Sequence, residues 1–345
     1  MKRKHRQRIV AAATIGGCAV TVLAVAQLAA LLHHVTVVPA EPATENHGLA
    51  GLPATLTETA PAVGDRTVDA YAGYGTWVDV YDFVPAEASG TPAFDVAAVD
   101  EMARQGVRTL YLQAAKADGP SSGLLADPAR VAQILVRAQR AGIRVVGWYL
   151  PKFGDIDRDL DHLQAIADFE VVGHRFDGVA VDIEWTESIA DHDQRSRKLV
   201  ELSERLRSGV GSDALGAIVL PPVQIEVVNP DKWPDFPWQE LSNLYDVWLP
   251  MGYWTERRAD SGYRDGAVYT AENLERLRDD LDDPEAVIHA VGGIGDEVTD
   301  AHAAGFADAV DEAEAIGGSI YDWRTLDRRL HAPLAEAINP ASGPH

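Results

Sequence analysis

From Thr76 onward, short runs of β-branched and aromatic residues alternate with longer stretches whose apolar positions recur every three or four residues. The short runs have the length of strands and the longer ones the period of amphipathic helices, so the alternation predicts repeated strand-helix units and a parallel sheet. The strand runs are TWVDVYD from Thr76, VRTLYLQ from Val107, IRVVGWY from Ile143, GVAVDIE from Gly178, LGAIVLP from Leu215, DVWLPMG from Asp246, AVIHAVG from Ala286 and GGSIYDW from Gly317. Helical stretches such as DPARVAQILVRAQRAG, DQRSRKLVELSERLR and TAENLERLRDDL lie between them, with Asp or Thr near their starts and Gly after several ends. Eight units in roughly 260 residues suit a closed barrel, whereas a doubly wound sheet needs fewer strands and a phosphate-binding glycine turn near its start. The expectation is a single-domain (β/α)8 TIM barrel over residues 71–338.

The chain before the barrel has a different pattern. Residues 1–8 are a basic segment, and residues 9–32 carry no charge over a length that crosses a bilayer as a helix. Positive charge ahead of an apolar span stays cytoplasmic, which places the body outside the membrane. The span reads as a membrane anchor or as a signal peptide cleaved near VPA at Ala40; IGGC at Cys18 loosely resembles a lipoprotein box, but the apolar run continues past it. Residues 33–70 read as a flexible linker and 339–345 as a tail.

Composition narrows the function. Apolar residues make up 46% of the chain, enough for a full core. The formal net charge is −23 and no basic stripe follows the N-terminus, so nucleic acid is excluded as a partner. The single cysteine, Cys18, lies in the apolar segment; the body therefore has neither a disulfide nor a thiol for catalysis or metal.

In a barrel of this kind the active site sits at the C-terminal ends of the strands. On the fourth run, alternation turns Val179, Val181 and Ile183 to the helices and Ala180, Asp182 and Glu184 to the barrel axis. The α-carbons of Asp182 and Glu184 would stand roughly 6 to 7 Å apart, close enough for one carboxylate to raise the other's pKa, the condition a general acid needs. The competing reading is a buried acid pair held by polar neighbours. Asp79 has the same inward parity on strand one, and Gln113 and Tyr149 on strands two and three; each can equally be a structural hydrogen-bonding residue. Glu226 and Gln224 after strand five are weaker candidates.

FDGVAVDIEW resembles the strand-four signature DGxDxDxE of the chitinase-like glycoside hydrolases of family 18, with Asp177, Gly178, Asp182 and Glu184 matching and Ala180 standing where the family has its middle aspartate. MGY, Met251 to Tyr253, resembles the family's strand-six MxY motif, with Trp254 next, and Trp323 after GGSIYD resembles its strand-eight tryptophan. VDIEW is also similar to the DxE strand of family 25 lysozyme-like barrels. The family 18 resemblance implies that Glu184 protonates the glycosidic oxygen, that Asp182 orients the substrate's N-acetyl group as internal nucleophile, and that Tyr253 hydrogen-bonds that group. The family 25 similarity implies Glu184 as acid and Asp182 as a stabilising carboxylate.

Aromatic residues crowd the strand ends: Trp77, Tyr81, Tyr111, Trp148, Tyr149, Trp185, Tyr253, Trp254, Tyr321 and Trp323. Flat rings stack on sugar faces and equally fill cores; as a set at one rim they favour a saccharide groove, with Trp148 expected to face the helix layer. GGIGDEV from Gly292 reads as a tight turn, Asp191 to Asp193 as helix-capping acids, and His289 as a satisfied interior histidine. No cofactor and no metal are expected. The reading is a glycosidase acting on a polysaccharide outside the cytoplasmic membrane; the other class it leaves open is a barrel that binds wall or matrix glycans without cleaving them.

Overall fold

The computed structural model describes residues 65–121 and 123–339. Eight parallel strands form the wall: β1 Gly73–Val78, β2 Thr109–Gln113, β3 Arg144–Tyr149, β4 Gly178–Ile183, β5 Leu215–Val219, β6 Val247–Pro250, β7 His289–Ile294 and β8 Gly317–Tyr321. Their order is β6-β5-β4-β3-β2-β1-β8-β7. The ring closes between β6 and β7 through bridges Trp248 to Ile288 and Met251 to Val291. The result is the expected α/β barrel, nearly closed.

The helices are α1 Ala97–Arg104, α2 Pro128–Arg140, α3 Ile156–Asp168, α4 His192–Val210, α5 Trp238–Leu241, α6 Gly266–Leu281, α7 Asp300–Glu312 and α8 Arg328–Ile338. Side chains of Asp127, Asp155, Asp191, Asp265, Thr299 and Asp327 accept first-turn N–H groups of α2, α3, α4, α6, α7 and α8. Each supplies an oxygen to a donor that the helix itself cannot satisfy. Asp191 is thus a cap, and GGIGDEV closes in a single 3-10 turn at Gly295–Glu297.

Three boundaries differ from the sequence reading. β1 starts at Gly73 and ends at Val78, and the chain then makes one helical turn, Val80–Phe83, whose first N–H donates to Gln113 Oε1 at 3.1 Å. Gly75 disguises the start of this strand: a Cβ there would lie 2.7 Å from the Tyr111 ring. Residues 65–70, expected in the linker, are packed instead. Arg66 is buried and pairs with Asp213 at 2.5 Å while donating to Phe176 O and Ala167 O. Asn339, expected in the tail, accepts from Tyr74 N and donates to Gly106 O. The segments 1–8, 9–32, 33–64 and 340–345 lie outside the described residues, and no helix among those described is long and apolar enough to cross a membrane.

Tyr71 closes the lower end of the lumen. Its ring fills the space left by Gly178 and Gly216, and its hydroxyl donates to Val179 O at 2.7 Å. Above it lies a polar column. His289 Nδ1 is 2.7 Å from Tyr71 O and Nε2 is 3.0 Å from Ser319 Oγ, which also accepts from Trp77 Nε1 at 2.8 Å. A carbonyl only accepts, so Nδ1 carries the proton, and burial lowers the His289 pKa to about 4, leaving the ring neutral. His289 is the satisfied interior histidine that the sequence suggested. Trp77 then stacks on Tyr111 at 4.3 Å and meets Trp148 edge-on at 6.0 Å. These rings fill the barrel and form the floor of its mouth.

Replacing Tyr71 by Phe removes one buried hydrogen bond and is expected to cost about 1 kcal/mol. Tyr71→Ala, which also empties the ring's volume, is expected to cost about 3–5 kcal/mol. Urea unfolding of the two variants beside the parent checks both values; equal costs would mean that the ring does not fill the lumen.

Candidate active site

β4 carries the acid pair to the floor of the mouth. Ala180 and Asp182 share the lumen side, as Gly216 shows: a Cβ there would stand 3.2 Å from Ala180 Cβ and 2.8 Å from Tyr71. Asp182 is 6% exposed, accepts no hydrogen bond, and has a fully enclosed Oδ1 without a partner. Burial, then the charges of Glu184 and Asp79, hold its carboxyl well above the usual carboxylate range. Glu184, just past the strand and partly exposed, is also raised by burial, against the pull of the Lys232 ammonium. The pair is therefore a set of two acids that retain protons more firmly than free carboxyls do.

A buried arginine fixes the loop beyond Glu184. Arg195 Nη1 donates to Thr186 O at 3.2 Å and Ile189 O at 3.0 Å, Nη2 donates to Lys232 O at 3.1 Å, and the guanidinium lies 4.3 Å from the Trp233 ring centre. One side chain thereby ties the loop after β4 to the loop that presents Lys232. On the rim, Trp185 donates its indole N–H to Ser188 Oγ, and Lys152 sits 4.4 Å above its ring.

Asp79 stands at the end of β1. Burial raises its pKa from 3.8 to about 7; a hydrogen bond from the Tyr321 hydroxyl opposes the shift, and Asp322 and Asp82 add to it. Tyr321 and Tyr253 have ring centres 5.7 Å apart. The Tyr253 phenol is held well above its usual range by burial and by Glu184, Asp182, Asp79 and Asp322, so it remains a hydrogen-bond donor facing four carboxyl groups. Met251 is buried on the lumen face of β6, which it shares with Leu249. The sequence-predicted Asp182, Glu184, Asp79, Tyr253 and Tyr321 thus converge, with Met251 in the wall.

The other candidates are placed elsewhere. Gln113 faces the lumen, but its carbonyl oxygen is committed to Val80 N. Tyr111 is fully buried beneath Trp77 and forms part of the barrel filling rather than the cleft. Tyr149 points into the helix layer, donating to Asp159 Oδ1 at 2.6 Å and stacking on His162 at 4.8 Å. Trp148, expected outside, faces inward; its neighbour Gly147 is the outward position, where a Cβ would strike Ile166 and Phe176. Trp254 is buried against Phe306, Gly292 and Gly293, and Trp323 against His331 and Arg328. Neither tryptophan lines the mouth, because the chain turns outward beyond the ends of β6 and β8. Glu226 pairs with Arg276, and Gln224 accepts from Arg257.

The sequence reading missed Asp82 and Asp322. Asp79, Asp82 and Asp322 each bring one carboxylate oxygen within 4.8 Å of the others. The available signal was position: Asp322 follows the last residue of β8, and Asp82 lies in the turn directly after β1.

The chain is thus a (β/α)8 barrel with carboxyl groups at its C-terminal mouth, and its barrel fold is similar to that of solved glycoside hydrolase structures. No protein-family model and no curated protein matches it. Solved structures do. The spore cortex-lytic enzyme SleL of Bacillus megaterium QM B1551 is 10% identical over 81% of this chain and 76% of its own, with a TM-score of 0.52. A GH18 chitinase from Cycas revoluta in complex with (GlcNAc)3 is 12% identical over 77% and 98%, with a TM-score of 0.52. An endo-beta-1,4-glucanase from Xanthomonas axonopodis pv. citri is 13% identical over 78% and 100%, with a TM-score of 0.53. At such identities the likeness is one of fold.

The raised Asp79 pKa has a definite effect on stability. Between about pH 4 and 7 the folded state holds a proton that the unfolded state has released, so stability falls as pH rises through that window and the loss is complete above it. Asp79→Asn, which still accepts from Tyr321, removes the penalty. Its gain in urea midpoint should be larger at pH 8 than at pH 5 and vanish below pH 4; a gain independent of pH would contradict the assignment.

Proposed function

We propose that this chain is a glycoside hydrolase acting on a polysaccharide, with Glu184 as general acid and Asp182 orienting or stabilising the substrate. The observation that carries the reading is Asp182: a carboxyl group buried in the mouth with an unpartnered oxygen, beside a second acid also biased to keep its proton. Leaving a buried polar atom unpaired costs about 1–3 kcal/mol, which is offset when a ligand supplies the missing partner. The barrel fold shared with chitinases and SleL supports the same class.

For an N-acetylated sugar, the family 18 resemblance implies the following chemistry for these groups. Glu184 gives its proton to the glycosidic oxygen as the bond to the anomeric carbon breaks. The acetamido oxygen attacks that carbon from the other side, with the acetamido N–H donating to Asp182 Oδ1 and the Tyr253 hydroxyl donating to the acetamido oxygen. Glu184, now a carboxylate, takes a proton from water as water opens the cyclic intermediate, and the acid is regenerated. The bound oligomer in the Cycas revoluta chitinase is built of N-acetylglucosamine, which supports an N-acetylhexosamine polymer here. The uncharged run at residues 9–32 behind a basic start supports a site of action outside the cytoplasmic membrane, with the chain anchored there or exported.

One observation favours a second reading, a barrel that binds glycans without cleaving them: Ala180 stands between Asp177 and Asp182, where the family 18 pattern has an acid. Turnover separates the two. With chitin-like, peptidoglycan and plain glucan polymers, Glu184→Gln should lower kcat/KM on the cleaved polymer by about 10²–10⁴-fold. Glycan binding by a parent that releases no products would establish the second reading.

Lys232 provides a test of the general acid. Its charge lowers the Glu184 pKa, so Lys232→Met should raise that pKa and extend the alkaline limb of the pH–kcat profile upward. An unmoved limb would mean that Glu184 is not the group titrating there.

A further inference from the structure

Next to the catalytic pair, the trio Asp79, Asp82 and Asp322 has less positive charge than it needs. Asp82 and Asp322 are buried, at 4% and 7% exposure. Among the described residues, one basic group bonds the trio: Arg324 Nη1, 2.9 Å from Asp82 Oδ1, on a side chain that is 59% exposed. Asp322 Oδ1 accepts only from Thr325, through its N–H and its hydroxyl, both at 2.9 Å. Asp79 accepts from Tyr321 through one oxygen, and its other oxygen is enclosed without a partner.

Across the cup, on a separate strand, Asp182 independently lacks a partner. It is 6% exposed, faces the lumen, forms no hydrogen bond, and feels the charge of Asp79. Two carboxyl oxygens without a partner, one after β1 and one on β4, thus stand at the same end of the barrel.

One cationic group can reach all three carboxylates, since their oxygens lie within 4.8 Å of one another. A primary ammonium has three N–H donors, one for each carboxylate, and it is the cation that an amino sugar supplies. Calcium and magnesium also bind carboxylate oxygens and are the competing occupants. The geometry points to a subsite for a hexosamine with a free amine, adjoining the catalytic pair, so that the preferred polymer is a partly deacetylated one. The adjacent Tyr253 and Tyr321 rings offer the apolar surface that a sugar ring covers. An acetylated residue at this subsite would bring no charge to the trio. The net charge of −23 draws a polycation to the protein before any contact is made.

This assignment rests on the glycan reading above, and the test separates the two. The full chain carrying Glu184→Gln, which blocks turnover, is titrated calorimetrically at pH 7 with glucosamine tetramer, N-acetylglucosamine tetramer, the mixed tetramer of both sugars, and calcium or manganese alone. The mixed or free-amine tetramer should bind about tenfold more tightly than the acetylated one, as expected for a charge-assisted contact. Asp322→Asn should erase that difference and leave binding of the acetylated tetramer within about twofold. If loss of the Thr325 contacts unfolds that variant, Asp79→Asn, which retains an acceptor for Tyr321, gives the same readout. Tighter binding of the acetylated tetramer overturns the ammonium subsite and leaves the hydrolase reading standing. Metal binding that the Asp322→Asn or Asp79→Asn change abolishes also overturns it, in favour of a metal site. No binding of any sugar by this protein, with no cleavage by the parent, overturns both.

Discussion

Carboxyl groups held at the floor of a filled barrel's mouth are the constraint on which the rest of the site depends. The lumen is packed from Tyr71 up through His289 and Tyr111 to Trp77 and Trp148, so a side chain standing on that floor has aromatic surface beneath it. Burial is the largest cause of the raised pKa at Asp182, at Glu184 and at Asp79, and their mutual repulsion adds to it at Asp182. The carboxyls hold their protons more firmly because of where they stand, since taking an ionised carboxylate out of water is costly. Lower in the lumen, polar atoms are partnered in one chain that runs from Trp77 through Ser319 and His289 to Tyr71.

Control of the loops is the complement of that floor. Glu184 lies beyond the last paired residue of β4, where strand geometry no longer fixes a side chain. Arg195 takes over that task by bonding carbonyls on both sides of the gap while stacking on Trp233. An arginine can do this where a lysine cannot, since its planar group donates in several fixed directions and stacks at the same time.

Much of the fold was legible in the sequence because it rests on period. Each of the eight strands overlaps one of the short runs, and six of the eight helices start on an Asp or Thr cap. The start of β1 was hidden because Gly73 and Gly75 look like loop residues, and only the Tyr111 ring packed against Gly75 explains them. Parity placed Asp182 on the lumen face of β4, whereas Glu184 and Asp79 stand one residue past their strands, where loop contacts take over. It failed at Trp148 and Tyr149, where both neighbours are bulky aromatics and either assignment gives a plausible strand; Gly147 between the helices and the wall resolves it. Motif order placed Trp254 and Trp323 after the correct strands, yet order carries no direction once a strand has ended. Asp82 and Asp322 became visible only when β1 and β8, distant in sequence, stood side by side.

Arg66 and Asn339 both bind the lower rim of the barrel, one to the segments entering β4 and β5 and the other to those entering β1 and β2. The described chain therefore begins and finishes on the side away from the carboxyl groups. Cargo, a surface or another domain fused at either of these points would attach on the far side from the mouth, and joining the two ends while opening the ring elsewhere would preserve the contacts among the carboxyl groups.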